Sequence, residues 1–369
     1  MSADTAMRHL VGIPSSATPS GTGVEAFAPG RVNLIGEHTD YTGGLALPMA
    51  IQLGTTVRVE RGGQSLELAS EQLPGTVRVD DVSATIPDAA AVTPPWGTYV
   101  AGILAELQRH GSPGGAVGSI STTLPVGAGL SSSASFELAV ALALGFHGPA
   151  CDLARLAQRA EQAASGVPCG LLDQTASACG VGGHALLIDF EGAESGASIR
   201  DLVALPDDLE VVVVHSGQSR TLVGSAYADR RAECERAAEA LGPLRTVDPD
   251  AIDRLDDPRL RRRARHVVTE NLRVLAMVDA LNRADLVTAG RLLHASHASL
   301  RDDFEVSTPA LDALVGRLES TPGVFGARLT GAGFGGCVVA FTEPGTLAAA
   351  PGQWPVTASD GARVALTSG

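Results

Sequence analysis

The chain has 369 residues, 44% of them hydrophobic, enough for two domains and a sizeable core and too apolar for a disordered chain. Its 41 acidic residues outnumber 27 basic ones for a net charge of −14, so a nucleic-acid or anionic-membrane partner, which selects a basic excess, is not expected. All 27 basic residues are arginine, and a chain without lysine cannot carry the Gly-Lys pair of a Walker-type phosphate loop.

Residues 1–22, rich in Ser, Thr, Pro and Gly, read as a loose lead-in. Asp4 and Arg8 stand where a signal peptide needs an apolar core, so none is expected. Residues 24–51 have a strand, loop, strand pattern and contain the run Pro-Gly-Arg-Val-Asn-Leu-Ile-Gly-Glu-His-Thr-Asp-Tyr at 29–41. There Arg31, Asn33, Glu37, His38 and Asp40 crowd around a short apolar stretch. An acid, an imidazole and a second acid can receive several hydroxyl groups, as a site for a small polyhydroxylated molecule must. A charged turn would look the same in isolation.

Residues 54–86 alternate as strands, as at 56–60 and 76–80. A helix is predicted from Trp96 to about Arg109, with Tyr99, Ile103, Leu104 and Leu107 on one face. After a strand at 117–123 comes Gly127-Ala128-Gly129-Leu130-Ser131-Ser132-Ser133, which leads into an Ala/Leu-rich helix ending near Leu144. Glycines let the backbone approach a ligand, and a helix start offers unpaired N–H groups and positive potential. Three serines exceed what a helix cap needs, so the loop reads as a lysine-free phosphate site. Helices follow at 152–165, bearing Glu161, and at 170–178, bearing Asp173 in the first turn. Glu161 with a loop serine would suffice for magnesium, which takes few protein oxygens and keeps several waters; alone it reads as a surface carboxylate. Asp173 could favour the helix dipole or take a proton from an attacking hydroxyl.

Strands at 185–190 and 210–215 bracket a Gly/Ser/Asp/Pro-containing stretch, 191–209, read as the boundary between two lobes. Helices are predicted at 219–241, 257–283, 285–300 and 308–320. The Arg261–Arg263 run and Arg265 are expected on a solvated helix face. Strands at 324–329 and 337–341 flank a second glycine loop, Gly331-Ala-Gly-Phe-Gly-Gly, and the tail alternates again at 363–366. Strands and helices alternate too irregularly for a doubly wound sheet, which leaves an α+β architecture of two lobes, divided as residues 1–200 and 201–369. Five scattered cysteines without metal-site spacing and no membrane-length apolar run point to a reduced, cytoplasmic protein.

Three motifs in order resemble those of the GHMP sugar and metabolite kinases. Gly30 to Tyr41 is similar to the galactokinase signature, Gly127 to Ser135 to the phosphate loop, and Arg328-Leu-Thr-Gly-Ala-Gly-Phe-Gly-Gly-Cys to the third motif. Intervening stretches at 160–174, 265–271 and 296–305 are also galactokinase-like, and the resemblance covers about residues 24–342. It implies a ribosomal-protein-S5-like N-terminal lobe, a ferredoxin-like C-terminal lobe, and ATP and galactose as substrates meeting between them. By position, Glu37, His38, Thr39 and Asp40 would bind the sugar, with backbone from Gly170 and cover from Tyr227. Gly127 to Ser133 would bind ATP, and Trp96 would lie near adenine. Ser133 and Glu161 would hold Mg²⁺. Asp173 would take or orient the proton of the anomeric hydroxyl, and Arg31 would face the transferring phosphoryl. The chain departs from the usual pattern at Thr42-Gly-Gly and at residues 215–222, near the sugar. A kinase for N-acetylgalactosamine or arabinose, or a galactose/ATP sensor without catalysis, is the alternative. No protein partner is indicated.

Overall fold

The computed structural model describes residues 1–12, 21–84, 92–111, 113–125, 127–166, 169–192, 197–218 and 223–367. Parts of the expected lead-in (13–20), lobe boundary (193–196) and helix opening (219–222) lie outside these residues. The N-terminal half comprises α1 (Ala3–Arg8), β1 (Leu10–Val11), β2 (Thr22–Asn33), β3 (Leu45–Ala46), β4 (Pro48–Arg61), β5 (Leu66–Ser70), β6 (Thr76–Val79), α2 (Gly97–His110), β7 (Ala116–Thr122) and α3 (Ser132–Ala143). It continues with β8 (Gly148–Pro149), α4 (Ala150–Ser165), α5 (Leu172–Cys179), β9 (His184–Asp189) and β10 (Ser198–Ala204). The C-terminal half comprises β11 (Glu210–His215), α6 (Val223–Leu241), α7 (Pro258–Asn282), α8 (Leu286–Asp302) and α9 (Pro309–Glu319). It ends with β12 (Val324–Thr330), β13 (Cys337–Thr342), β14 (Gln353–Val356) and β15 (Arg363–Thr367).

A six-stranded sheet in the order β15-β2-β4-β7-β5-β6 carries α2 to α5. Its strands pair antiparallel except β5 with β7. Buried residues of β2 and β4 (Val24, Ala26, Val57, Val59) pack against Leu138 and Leu142 of α3 and Leu153 of α4. The helix α3 is apolar around most of its circumference and is correspondingly buried. In the second half a four-stranded sheet, β12-β13-β11-β14, lies between two cores. The run Glu-Val-Val-Val-Val-His of β11 is buried on both faces: Val211 and Val213 face Leu34, Leu47, Met49 and Met277, while Val212 and Val214 face Val267, Leu314 and the other side of the lobe. The first of these cores joins the halves, because it holds residues from both. Each buried Leu, Val or Met there contributes about 1.5–3 kcal/mol.

Several expectations change. Residues 3–8 are not loose: Ser2 caps a helix by accepting from Thr5 N at 3.2 Å, with Asp4 in its first turn. The stretch read as a boundary contains β10, paired with β9. A bulge between Ile199 and Asp201 shifts its register, which breaks the period-two pattern that marks a strand. Of the arginine run on α7, Arg263 is fully buried, with Nε donating to Glu233 at 2.6 Å and Nη2 to Glu305 at 2.5 Å. The chain leaves the C-terminal sheet after β14, and β15 then pairs with β2, where the Arg363 guanidinium lies 4.2 Å from the Phe27 ring centroid.

Among the described residues no helix is long and apolar enough to cross a membrane. None of the five cysteines forms a disulfide among the described residues.

Candidate active site

The phosphate loop enters α3 with Gly127 and Gly129 at φ 77° and 76°, and Ser131 at φ 59°. Ser131 stands at the helix cap yet makes no capping bond from its side chain. Its hydroxyl instead donates to Asp173 Oδ2 at 2.5 Å, so it leaves the first N–H groups of α3 available to a ligand. Ala128 and Leu130 pack into the core and offer only backbone. Arg31, almost fully buried at the end of β2, donates from Nε to Asp173 Oδ1 at 2.8 Å and from Nη1 to Gly129 O at 2.9 Å. Asp173 is therefore gripped from two sides in the first turn of α5.

A cavity of about 180 Å³ opens here, lined by Arg31, Glu37, His38, Asp40, Glu161, Cys169, Gly170, Asp173, Gln174, Tyr227, Gly331 and Ala332. The structure thus brings most of the polar signature together with Asp173. Burial, ahead of the charges of Asp173 and Glu37, pushes the Asp40 carboxyl from its ordinary 3.8 up to about 6, against a hydrogen bond from the Tyr41 backbone. A Cβ on Gly170 would lie 1.6 Å from Asp40 Oδ2, so only glycine leaves room for that carboxylate. His38 sits at φ 61°, a strained region for a non-glycine residue, held by Nε2 donating to Ala332 O at 3.2 Å and by the Tyr41 hydroxyl 2.9 Å from Nδ1. The Tyr227 ring lies 5.6 Å from that imidazole, and burial raises its phenol well above 10. Thr39 is fully buried, and its hydroxyl sits 2.8 Å from Gly36 O and 2.7 Å from Leu45 O; it shapes the loop and does not line the cavity.

A second, largely apolar cavity of about 210 Å³ lies across α3, lined by Thr55, Gln72, Leu73, Trp96, Tyr99, Ile120, Ser132, Ser133 and Phe136. Trp96 donates to Pro74 O at 3.1 Å and meets Phe136 edge-on at 6.1 Å. Ser133 in this wall donates to Glu161 Oε1 at 2.7 Å, and Glu161 lines the first cavity. The two cavities therefore adjoin at the Ser133–Glu161 hydrogen bond. Burial, ahead of the opposing Ser133 hydrogen bond, raises the Glu161 carboxyl above its ordinary range.

The comparisons with known proteins bear on this geometry. A family model for the galactokinase galactose-binding signature matches residues 18–61, the GHMP kinase N-terminal domain matches 98–181, and the GHMP kinase C-terminal region matches 277–355. Galactokinase from Lactococcus lactis, solved with galactose, is 31% identical, with 92% of this chain and 94% of that one covered and a TM-score of 0.82. The chain belongs to the galactokinase family of GHMP kinases. The fold extends to more distant kinases. Mevalonate kinase from L. major is 20% identical, covering 95% of this chain and 99% of that one, with a TM-score of 0.62. A heptose 1-phosphate kinase from Bacteroides thetaiotaomicron is 16% identical, covering 94% and 100%, with a TM-score of 0.63.

Sequence reasoning left the support of this galactokinase-type loop without assigned roles. Glu270 on α7 accepts from Gly36 N at 3.0 Å, Ser296 Oγ at 2.7 Å and Arg273 Nε at 2.7 Å. Burial alone would raise its carboxyl, but Arg273, His266 and Arg328 outweigh it and hold it at about 2. One turn earlier, burial lowers the His266 imidazole to about 4; its Nε2 is 3.0 Å from Glu37 O, an acceptor, and so carries the proton. Asn271 accepts from Leu45 N at 2.7 Å. The available signal was the polar set His266, Glu270 and Asn271, interleaved with Val267, Val268 and Val274 on the buried side of one helix.

Proposed function

We infer that the chain transfers the γ-phosphoryl group of ATP to the anomeric hydroxyl of α-D-galactose, giving galactose 1-phosphate and ADP. The observation that carries this reading is the adjacency of two cavities: a polar one holding Asp40, Glu37, His38 and Asp173, and an apolar one beside Trp96, meeting at the phosphate loop. Galactose occupies the polar cavity, with Asp40, Glu37 and His38 meeting its hydroxyls and Tyr227 against it. The adenine lies in the apolar cavity, and the phosphates follow Gly127 to Ser133 to the start of α3. The anomeric oxygen attacks the γ-phosphorus, its proton passes to Asp173, and ADP departs. Arg31 orients Asp173 and offsets charge on the transferring phosphoryl. Positioning and electrostatics of this kind account for most phosphoryl-transfer catalysis.

The hydroxyl and carboxylate oxygens of Ser133 and Glu161 suit a hard cation that keeps several waters. Magnesium held there would neutralise phosphate charge. The two lobes expected as residues 1–200 and 201–369 divide in this reading after β10, which stays paired with β9 through Ala204, with β15 returning to the first lobe. A cytoplasmic setting suits five cysteines that form no disulfide among the described residues.

Asp173→Ala tests the assignment. Titration calorimetry should show galactose and ATP binding retained, while kcat falls roughly 10²–10⁴-fold. Turnover near that of the wild type would remove Asp173 from the chemistry.

A further inference from the structure

The third motif reaches across the lobes into the sugar cavity. Arg328 on β12 is fully buried, and its Nη2 donates to Glu37 Oε1 at 2.7 Å. The same oxygen accepts from Gly331 N at 2.6 Å, while the Thr330 hydroxyl lies 3.3 Å from it and 3.0 Å from Asn33 O. A carboxylate oxygen has about two lone-pair directions, so these donors saturate it. Among the described residues every hydrogen bond to the Glu37 carboxylate falls on Oε1, although Glu37 also lines the cavity. The guanidinium is itself oriented by Ser296 Oγ, 3.1 Å from Nη1, and by Glu270 Oε1 at 3.5 Å.

We propose that Arg328 is a positioning residue for sugar recognition: with Gly331 it fixes Oε1 of Glu37 and leaves Oε2 as the acceptor that a sugar hydroxyl meets. The third motif then serves the sugar as well as the fold. The first motif supplies the readers, and the C-terminal lobe sets their orientation, so the sugar cavity is complete only while both lobes are docked. An ammonium in place of the guanidinium keeps the charge but loses the fork that engages Glu37 and Ser296 together.

The inference rests on galactose occupying the cavity at Glu37. Wild-type turnover is therefore measured first. If another sugar is phosphorylated in place of galactose, that reading fails, and the variants are tested on the sugar turned over. The test uses full-length Arg328→Met, Arg328→Lys, Glu37→Gln and the Met/Gln double variant, with KM for each substrate and Tm. Arg328→Met should raise sugar KM roughly 10- to 100-fold and leave KM for ATP within about threefold, with Arg328→Lys between it and wild type. Adding Arg328→Met to Glu37→Gln should change sugar KM by less than about threefold, because the two act through one carboxylate. A lowered Tm with sugar KM unchanged, or effects that multiply in the double variant, would overturn the proposal. Should Arg328→Met not fold, Ser296→Ala loosens the guanidinium more gently; a raised sugar KM supports the role and an unchanged one contradicts it.

Discussion

At Asp40 the residue types of the signature acquire a physical state. Its carboxyl, pressed against Gly170 and raised to about 6, binds its proton more tightly folded than unfolded. The stability it contributes is complete below about pH 4 and is lost as pH rises through 6. Asp40→Asn removes that loss. Its Tm relative to wild type should therefore be higher at pH 8 than at pH 4 by calorimetry, while galactose binding weakens. A Tm difference independent of pH would contradict the assigned state. Stability sacrificed for a buried charge is a common trade where a cavity has a use for it. That Glu37, His38 and Asp40 share one cavity was legible because acids and imidazole in one short loop have few structural uses. Their partners were not, since Gly36 and Glu270 are 234 residues apart and Glu37 and Arg328 are 291 apart. Thr39 shows the opposite limit: a hydroxyl between two cavity-lining residues spends itself on the loop's own carbonyls.

Among elements, legibility followed periodicity. The apolar run of β11 and the Ala/Leu-rich α3 announce themselves, whereas β10 hides behind its bulge, and Arg263 of α7 looks solvated until Glu233 and Glu305 close over it. The turn between β12 and β13 combines both lessons. Its glycines read as a loop in sequence, but the reason for them is tertiary: Gly333 has φ 80°, and a Cβ there would lie 2.4 Å from Val306 O. Gly333→Ala should destabilise the chain by more than about 1 kcal/mol in denaturant titrations. It should also raise galactose KM, because Ala332 next to it accepts from His38. A variant as stable as wild type with unchanged KM would show that the turn neither needs glycine nor supports the cavity.

Over the whole molecule, the α+β class was readable from the irregular alternation of strands and helices and the family from motif order, and the comparisons agree on both. What sequence could not supply is how the halves join. A shared core of Leu34, Leu47 and Met49 with Val211, Val213 and Met277, the Arg328–Glu37 pair and the return of β15 to β2 bind the halves into one unit. Each is a contact between distant segments that no local pattern encodes. The outcome is a polar cavity lined by Asp173 and an apolar cavity on either side of one serine-rich loop, the arrangement on which the proposed reaction rests. Proton and phosphorus NMR of the reaction with ATP, Mg²⁺ and galactose, run beside N-acetylgalactosamine, arabinose and glucose, reads that outcome directly. The arrangement predicts a single phosphomonoester on the α-anomeric oxygen of galactose, formed with stoichiometric ADP; no product from galactose, or phosphate on another hydroxyl, would contradict it.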